Sequence, residues 1–352
     1  MKSAILRNGK IEIVEKSKPI LDKKGAIVRV FGCGLCGSDI VKINHATSLN
    51  EDKIVLGHEI VGEIEDINVD VIGNSALLPF KKGDIIAMGH HYPCFECNFC
   101  KTGHHSMCQT FKATNLFPSG FSEYVYITEG HLQNTVFKKP DNLTFEEFSF
   151  LEPLACCVRS IRRAGFELDK DNSIYNALVI GLGSIGIIMA QALKAYNVNV
   201  FGFDINEDRQ KFVEKYGIKF NPNLKYNAIF MTSGSSKAID TALKYAENGA
   251  KIVVFSSVST EDGYKNDDIY YRELTVMGSY SPAPVDFKTS YDLLSNELVN
   301  VKYLSTNYSL DNLDKALNDT KQGKILKAYI ELWKWKPYNF MHQKISGLRK
   351  LM

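Results

Sequence analysis

The stretch that decides the fold is residues 176–204, NALVIGLGSIGIIMAQALKAYNVNVFGFD. An apolar run meets the pattern Gly181-Leu182-Gly183-Ser184-Ile185-Gly186. A segment with apolar residues at helical spacing follows, and then a second apolar run that stops at Asp204. Strand, glycine turn, helix and strand open a βαβ unit, and the glycine spacing is that of a dinucleotide fingerprint. The first glycine allows the tight turn, the second lets backbone approach a pyrophosphate, and the third lets helix and strand pack closely. The helix N-terminus then offers amide donors to phosphate. Asp204 lies 23 residues after Gly181, where a carboxylate accepts hydrogen bonds from ribose hydroxyls and repels a 2′-phosphate, favouring NAD(H) over NADP(H). Arg209, five residues on, either stacks on adenine or pairs with a 2′-phosphate. The candidate cofactor residues are therefore Gly181, Gly183, Ser184, Ile185, Gly186, Asp204 and Arg209.

Downstream, the apolar runs NAIFMTSG (227–234) and AKIVVFSS (250–257) continue the alternation, with a helix expected to stop at Gly249. Continuous apolar strands separated by helices predict a parallel, doubly wound sheet. A fifth strand is expected over 273–280, a closing helix near 286–295, and a last stretch of strands and one helix that returns to the first domain. Upstream, GAIVRVFGCG, HEIVGEIEDI, DIIAMG and SEYVYIT read as half-buried strands. Residues 68–82 are expected to include a surface loop. The fold class is α/β: a β-rich domain followed by the doubly wound one.

A chain of 352 residues accommodates both domains with well-buried cores. Its net charge of +2 gives no bulk attraction for nucleic acid or an anionic membrane. The N-terminus turns polar within eight residues, so no secretory leader is expected. The apolar runs are too short and too glycine-broken to span a bilayer. The expected address is cytoplasmic, where clustered cysteines serve as metal ligands rather than disulfides.

Two constellations fit metals. Cys94, Cys97, Cys100 and Cys108 place four thiolates on one loop, saturating tetrahedral zinc and leaving no position for substrate, so that site is structural. A bacterial iron–sulfur run has its fourth cysteine three residues after the third and before proline; here the gap is seven and Gln109 follows. The flanking His90, His91, His104 and His105 read as a polar loop. Cys33, Cys156 and Cys157 read as small buried residues, and Phe121 and Tyr124 as core or cleft lining. The second constellation is sparser: Cys36-Gly37-Ser38-Asp39 and Gly57-His58-Glu59. Thiolate plus imidazole suits zinc, and a catalytic zinc needs a third protein ligand, for which Glu59 and Glu152 are both candidates.

GCGLCGSD, GHE, the four-cysteine lobe, GFSEYV, EPLA and GLGSIG stand in the order found in the zinc-dependent medium-chain dehydrogenase/reductase family, which residues 1–333 resemble. The likeness is greatest to the sorbitol (polyol) and sugar-phosphate branch, because Glu152 stands where liver-type alcohol dehydrogenases have a cysteine ligand. The resemblance implies a GroES-like catalytic domain over 1–155 with a zinc lobe at 90–110, a Rossmann domain over 156–283, a return over 284–333, and an active site between them. The tail 334–352 has no counterpart.

It further implies two zincs per chain. Cys36 and His58 hold the catalytic one, with Glu59 a direct or exchanging ligand and Glu152 a ligand directly or through water. Ser38 matches the hydroxyl residue that takes the substrate's proton, whereas Val41 replaces the relay histidine of liver-type enzymes, leaving His45, Glu152 or ribose hydroxyls and water as exit routes. Glu59 and Glu152 thus stand with Ser38 as catalytic candidates. The expected reaction is hydride transfer between NAD(H) and a secondary alcohol or ketone, in a homodimer or homotetramer. A polyol phosphate, for which Lys53 and Arg159 are candidate contacts, or a threonine-like amino alcohol is the alternative substrate. A non-catalytic NAD-binding regulator is the alternative of a different class.

Overall fold

The computed structural model describes residues 1–45, 54–70, 79–257 and 263–333. A hairpin of β1 (Lys2–Arg7) and β2 (Lys10–Glu15) opens the chain. The first domain continues with β3 (Gly25–Gly34), β4 (Glu59–Ile67), β5 (Ile85–Met88), β6 (Tyr124–Thr128) and β7 (Val136–Lys138). Strands β8 (Asn176–Ile180), β9 (Asn199–Phe203), β10 (Tyr226–Met231), β11 (Ala246–Val254) and β12 (Thr275–Gly278) follow, and β13 (Ser305–Ser309) and β14 (Lys327–Glu331) close the chain. The helices of at least eight residues are α1 (Gly37–Asn44), α2 (Leu151–Arg163), α3 (Ser184–Ala195), α4 (Lys237–Tyr245), α5 (Pro284–Ser295) and α6 (Leu313–Lys321).

The first sheet runs β13-β14-β3-β4-β5-β7, and β6 shares with β14 the edge of β3 away from β4, β6 pairing residues 25–29 and β14 residues 32–34. Because β3 is paired by β4, β6 and β14, nine of its ten residues are buried. The exception, Arg29, stands opposite Glu63 on β4 and bonds it at 2.6 Å. Strand β14 pairs antiparallel to β3 and parallel to β13, so the end of the chain does return to the first sheet.

The second sheet runs β12-β11-β10-β8-β9 with every pairing parallel. Apolar residues of β8 and β10 are buried throughout because helices cover both faces. Gly181 adopts φ +94° where β8 turns into α3, and a Cβ there would lie 2.9 Å from the Ser233 nitrogen. A Cβ at Gly186 would overlap the Gly181 carbonyl, so that glycine is the point of closest strand–helix packing. A Cβ at Gly183 would meet nothing within 4 Å, which leaves open space above the turn for a ligand.

One boundary differs from expectation. Helix α4 stops at Tyr245, and β11 begins at Ala246, four residues before the expected run. Gly249, at φ +78°, lies inside the strand and ends no helix. Arg272 donates to the carbonyls of Leu243 (3.0 Å) and Ala246 (2.6 Å), so a guanidinium satisfies the helix end where a glycine cap was expected. Helix α5 stays against α2, where Arg162 bonds Asp286 at 2.9 Å and Ser290 bonds the Leu151 carbonyl at 2.8 Å. No helix among the described residues is long and apolar enough to cross a membrane. Lys53, part of the 68–82 loop and the 334–352 tail lie outside the described residues.

Candidate active site

Cys36 ends the loop after β3 and immediately precedes α1, while His58 and Glu59 sit where β4 begins. Strands β3 and β4 pair antiparallel, with Gly34 opposite Glu59, and this brings the two segments together. Ligand atoms of Cys36, His58 and Glu59 all lie within 4.8 Å of one another. A thiolate, an imidazole and a carboxylate converging at that spacing fit zinc with one position left open.

Asp39, fully buried, organises this set. Its carboxylate accepts from the backbone nitrogens of Gly57 (3.0 Å) and Cys36 (3.2 Å) and stands 3.6 Å from His58 Nδ1. Burial alone would raise its pKa, yet the nearby His58 charge outweighs burial and lowers it. The same pairing, against burial, lifts His58 well above the usual histidine value. A carboxylate behind a ligating imidazole fixes the ring and its tautomer. Lys327, from β14, donates to Glu59 Oε1 at 2.6 Å and pairs ionically with Oε2 at 2.5 Å, with both side chains buried. Burial opposes its charge, but the Glu59 carboxylate raises its pKa overall. Gly34 makes room for this pair, since a Cβ there would collide with the Glu59 carboxylate. Sequence reasoning assigned no role to Asp39 or Lys327.

Glu152, at the start of α2, is outside the three-residue cluster. Its Oε1 accepts a bond from Cys156 Sγ at 3.7 Å and lies 3.9 Å from His90 Nδ1. Burial raises its pKa above the usual carboxylate value. Cys156 is thus half-buried beside a site residue, a correction to its reading as simple core; Cys33 and Cys157 are buried. His90, in the loop after β5, does not face solvent: its side chain is 11% exposed. Its ring packs on His58 at 4.6 Å and on His91 at 4.0 Å, and burial pushes its pKa well down. Ser38 is exposed in the first turn of α1, and Val41 and His45 are exposed further along.

The dinucleotide fingerprint and Cys36 of the metal set line one cleft of about 410 Å³. Asp204, Arg209, Thr232, Lys237 and Thr241 line it together with Gly181, Gly183, Ser184, Ile185 and Gly186, and so do Cys36 and Lys327. Asp204 accepts from the Leu182 nitrogen at 2.6 Å and the Asn206 nitrogen at 2.8 Å, and Arg209 Nη1 stands 3.8 Å away.

The four-cysteine lobe is built separately. Sulfur separations are 3.5 Å for Cys94–Cys108, 3.9 Å for Cys94–Cys100 and 3.6 Å for Cys97–Cys100. Tetrahedral zinc with sulfur bonds of about 2.3 Å requires edges of about 3.8 Å, so the thiolates fit the ion. Phe111 packs on Cys100 and Cys108, and His91 stacks on Phe111 at 4.8 Å. Arg159 does not face the cleft: buried on α2, it donates to the Gly103 carbonyl of the lobe at 2.7 Å. It is therefore a docking contact, not a phosphate ligand. Phe121 is buried in the core, and Tyr124 packs edge-on against Trp333 at the surface of the first domain.

Residues 22–141 match the family of alcohol dehydrogenase GroES-like domains, and residues 184–296 the family of zinc-binding dehydrogenases. D-xylulose reductase A of Aspergillus niger is 28% identical over 331 residues, covering 86% of this chain and 88% of its own. Galactitol-1-phosphate dehydrogenase of Escherichia coli superposes with a TM-score of 0.78 at 24% identity, over 94% of this chain and 100% of that one. 2R,3R-butanediol dehydrogenase of Bacillus subtilis gives a TM-score of 0.78 at 22% identity, over 94% of this chain and 99% of that one. The likeness to these two structures is one of fold.

Proposed function

The chain belongs to the zinc-dependent medium-chain dehydrogenase/reductase family, in its sorbitol-like branch, and from that premise we propose that it transfers hydride between a polyol and NAD(H). The observation that carries this reading is the single cleft lined both by the glycine fingerprint with Asp204 and by Cys36 of the metal set. Cys36, His58 and Glu59 hold a catalytic zinc, and the four cysteines of the lobe hold a structural one. Zinc at the first site supplies Lewis acidity toward the substrate oxygen.

The remaining work falls to the chain's own side chains. Asp39 holds the His58 ring in its ligating orientation. Lys327 balances the Glu59 carboxylate, which would otherwise be a lone buried charge. The open turn at Gly183 and the amides at the start of α3 receive the pyrophosphate. Asp204 bonds the adenosine ribose and disfavours a 2′-phosphate, so NAD(H) is preferred, with Arg209 beside the adenine. Ser38 takes the hydroxyl proton. Val41 offers no acceptor, so the proton does not pass on through that position of α1. Residues 1–155 with 284–333 form the catalytic domain and 156–283 the dinucleotide domain, and the protein works in the cytoplasm as a dimer or tetramer.

The phosphate reading loses Arg159 to its lobe contact, and a regulator without catalysis would have no use for the converging donors around Cys36. The test is an NAD-reduction screen of the zinc-loaded protein over polyols, sugar phosphates and amino alcohols. Turnover confined to polyols is expected. Absence of turnover on every class would overturn the reading.

A further inference from the structure

Thr232 lines the cofactor cleft just beyond the end of β10, outside the glycine fingerprint. Its hydroxyl donates to the Gly181 carbonyl at 2.7 Å and lies 3.2 Å from the Ile180 carbonyl. A hydroxyl has one proton to give, and the shorter bond takes it to Gly181. The other end of the same peptide unit is also engaged, because the Leu182 nitrogen donates to Asp204 Oδ2 at 2.6 Å. The 181–182 bond is trans, and a trans peptide points its carbonyl and its N–H in opposite directions. Thr232 and Asp204 therefore grip one peptide from opposite sides.

That grip falls where the backbone is least restricted. Gly181, at φ +94°, has no Cβ to limit its rotation. Turned over, the 181–182 peptide would take its N–H away from Asp204 and set its carbonyl against that carboxylate. The carboxylate would be pushed from its place beside the cleft. Thr232 is itself well anchored: its nitrogen donates to the Ile180 carbonyl at 2.9 Å, and its carbonyl accepts from Ser256 Oγ at 2.9 Å. Its β-branched side chain has little rotamer freedom, so the hydroxyl is aimed by the strand end.

Resting on the dehydrogenase reading, we propose that Thr232 is a positioning residue for the cofactor. Its hydroxyl fixes the 181–182 peptide, and through it the Asp204 carboxylate that receives the adenosine ribose. Thr232 thereby sets both the affinity for the dinucleotide and the preference for the form without a 2′-phosphate.

Thr232→Val keeps the branched shape and removes the donor, whereas Thr232→Ser keeps the donor. Both are made in the full-length, zinc-loaded protein and titrated calorimetrically, well below their melting temperatures, with NADH, NADPH and ADP-ribose. The last carries the adenosine half without the nicotinamide. Thr232→Val should weaken NADH and ADP-ribose by about tenfold, as expected for losing one hydrogen bond. NADPH should lose less, because the displaced carboxylate is the group that disfavours it. Thr232→Ser should stay within about twofold of wild type, and zinc content should be unchanged in both. In an Asp204→Ser background, Thr232→Val should cost NADH little more, since the group it acts through is gone.

Wild-type affinity in Thr232→Val, an equal loss in Thr232→Ser, equal losses of NADH and NADPH, or additive losses in the double variant would each overturn the proposal. Should Thr232→Val fail to fold, Thr232→Ala removes the same donor and carries the same expectations. A wild type that binds none of the three ligands would overturn the dinucleotide reading and this proposal with it. Inactivity on every alcohol would count against the dehydrogenase reading alone, because the titrations need no turnover.

Discussion

Lys327 Nζ lies 2.6 Å from Oε1 and 2.5 Å from Oε2 of Glu59, both side chains are buried, and 268 residues separate them in sequence. Breaking one side of a buried pair leaves an uncompensated charge, which costs roughly 3–5 kcal/mol. Lys327→Met should therefore lower unfolding free energy by about that amount in urea titration. Because Lys327 also lines the cofactor cleft, weaker NADH binding should accompany it. Loss of NADH affinity with unchanged stability would show that the pair is not structural.

Metal analysis of the purified protein should give two zincs per chain. Cys108→Ser should leave one and lower the melting temperature, because closed-site binding energy is folding energy. Cys36→Ser should also leave one, with little change in melting temperature and no turnover. Loss of both ions from either variant would contradict two separate sites.

Asp204→Ser should raise the ratio of NADP to NAD use by roughly tenfold to a hundredfold, since a carboxylate beside a phosphate costs several kcal/mol. Steady-state kinetics with both dinucleotides reads this directly. Asp204 also caps the Leu182 and Asn206 nitrogens, so a small drop in melting temperature should accompany the switch.

Acid should weaken the fold through His131. Its Nδ1 lies 2.9 Å from Thr128 Oγ1, its Nε2 bonds the His90 carbonyl, and burial pushes its pKa down to about 4. An unfolded histidine titrates near 6.5. Between those values the unfolded chain takes up a proton that the folded one refuses, so stability falls as pH drops through this window and the loss is complete below about 4. The linkage is on the order of 3 kcal/mol. His131→Gln should flatten the acid limb of melting temperature against pH between 4 and 7; a limb as steep as in wild type would count against His131.

The parallel sheet and its glycine turn were legible because their signals are local: a strand run, three glycines at fixed spacing and a carboxylate at the next strand end. The four-cysteine lobe was legible for the same reason. Cys36, His58 and Glu59 could be suspected together only with the downstream fingerprint in view, because sequence does not show that β3 and β4 lie side by side. Asp39 had a local signal that went unused, since an acidic residue three positions into a helix reaches back to the preceding backbone nitrogen, here that of Cys36. Lys327 had none: its partner is fixed by the pairing of β14 with β3, across nearly the whole chain. His90 looked like one of four polar histidines, and only the end of β5 at Met88 turns it onto His58 rather than into solvent.

The placement of β14 sets an order of events during synthesis. The first sheet leaves the ribosome without the strand that flanks β3 and without the cation for Glu59, while the parallel sheet, whose strands all fall between residues 176 and 278, is complete long before the chain ends. The second domain can therefore mature first, whereas the catalytic pocket keeps a bare buried carboxylate until residue 327 arrives. Glu59 gains its buried counter-charge only once β14 docks on β3, so this ion pair is among the last contacts the fold can make.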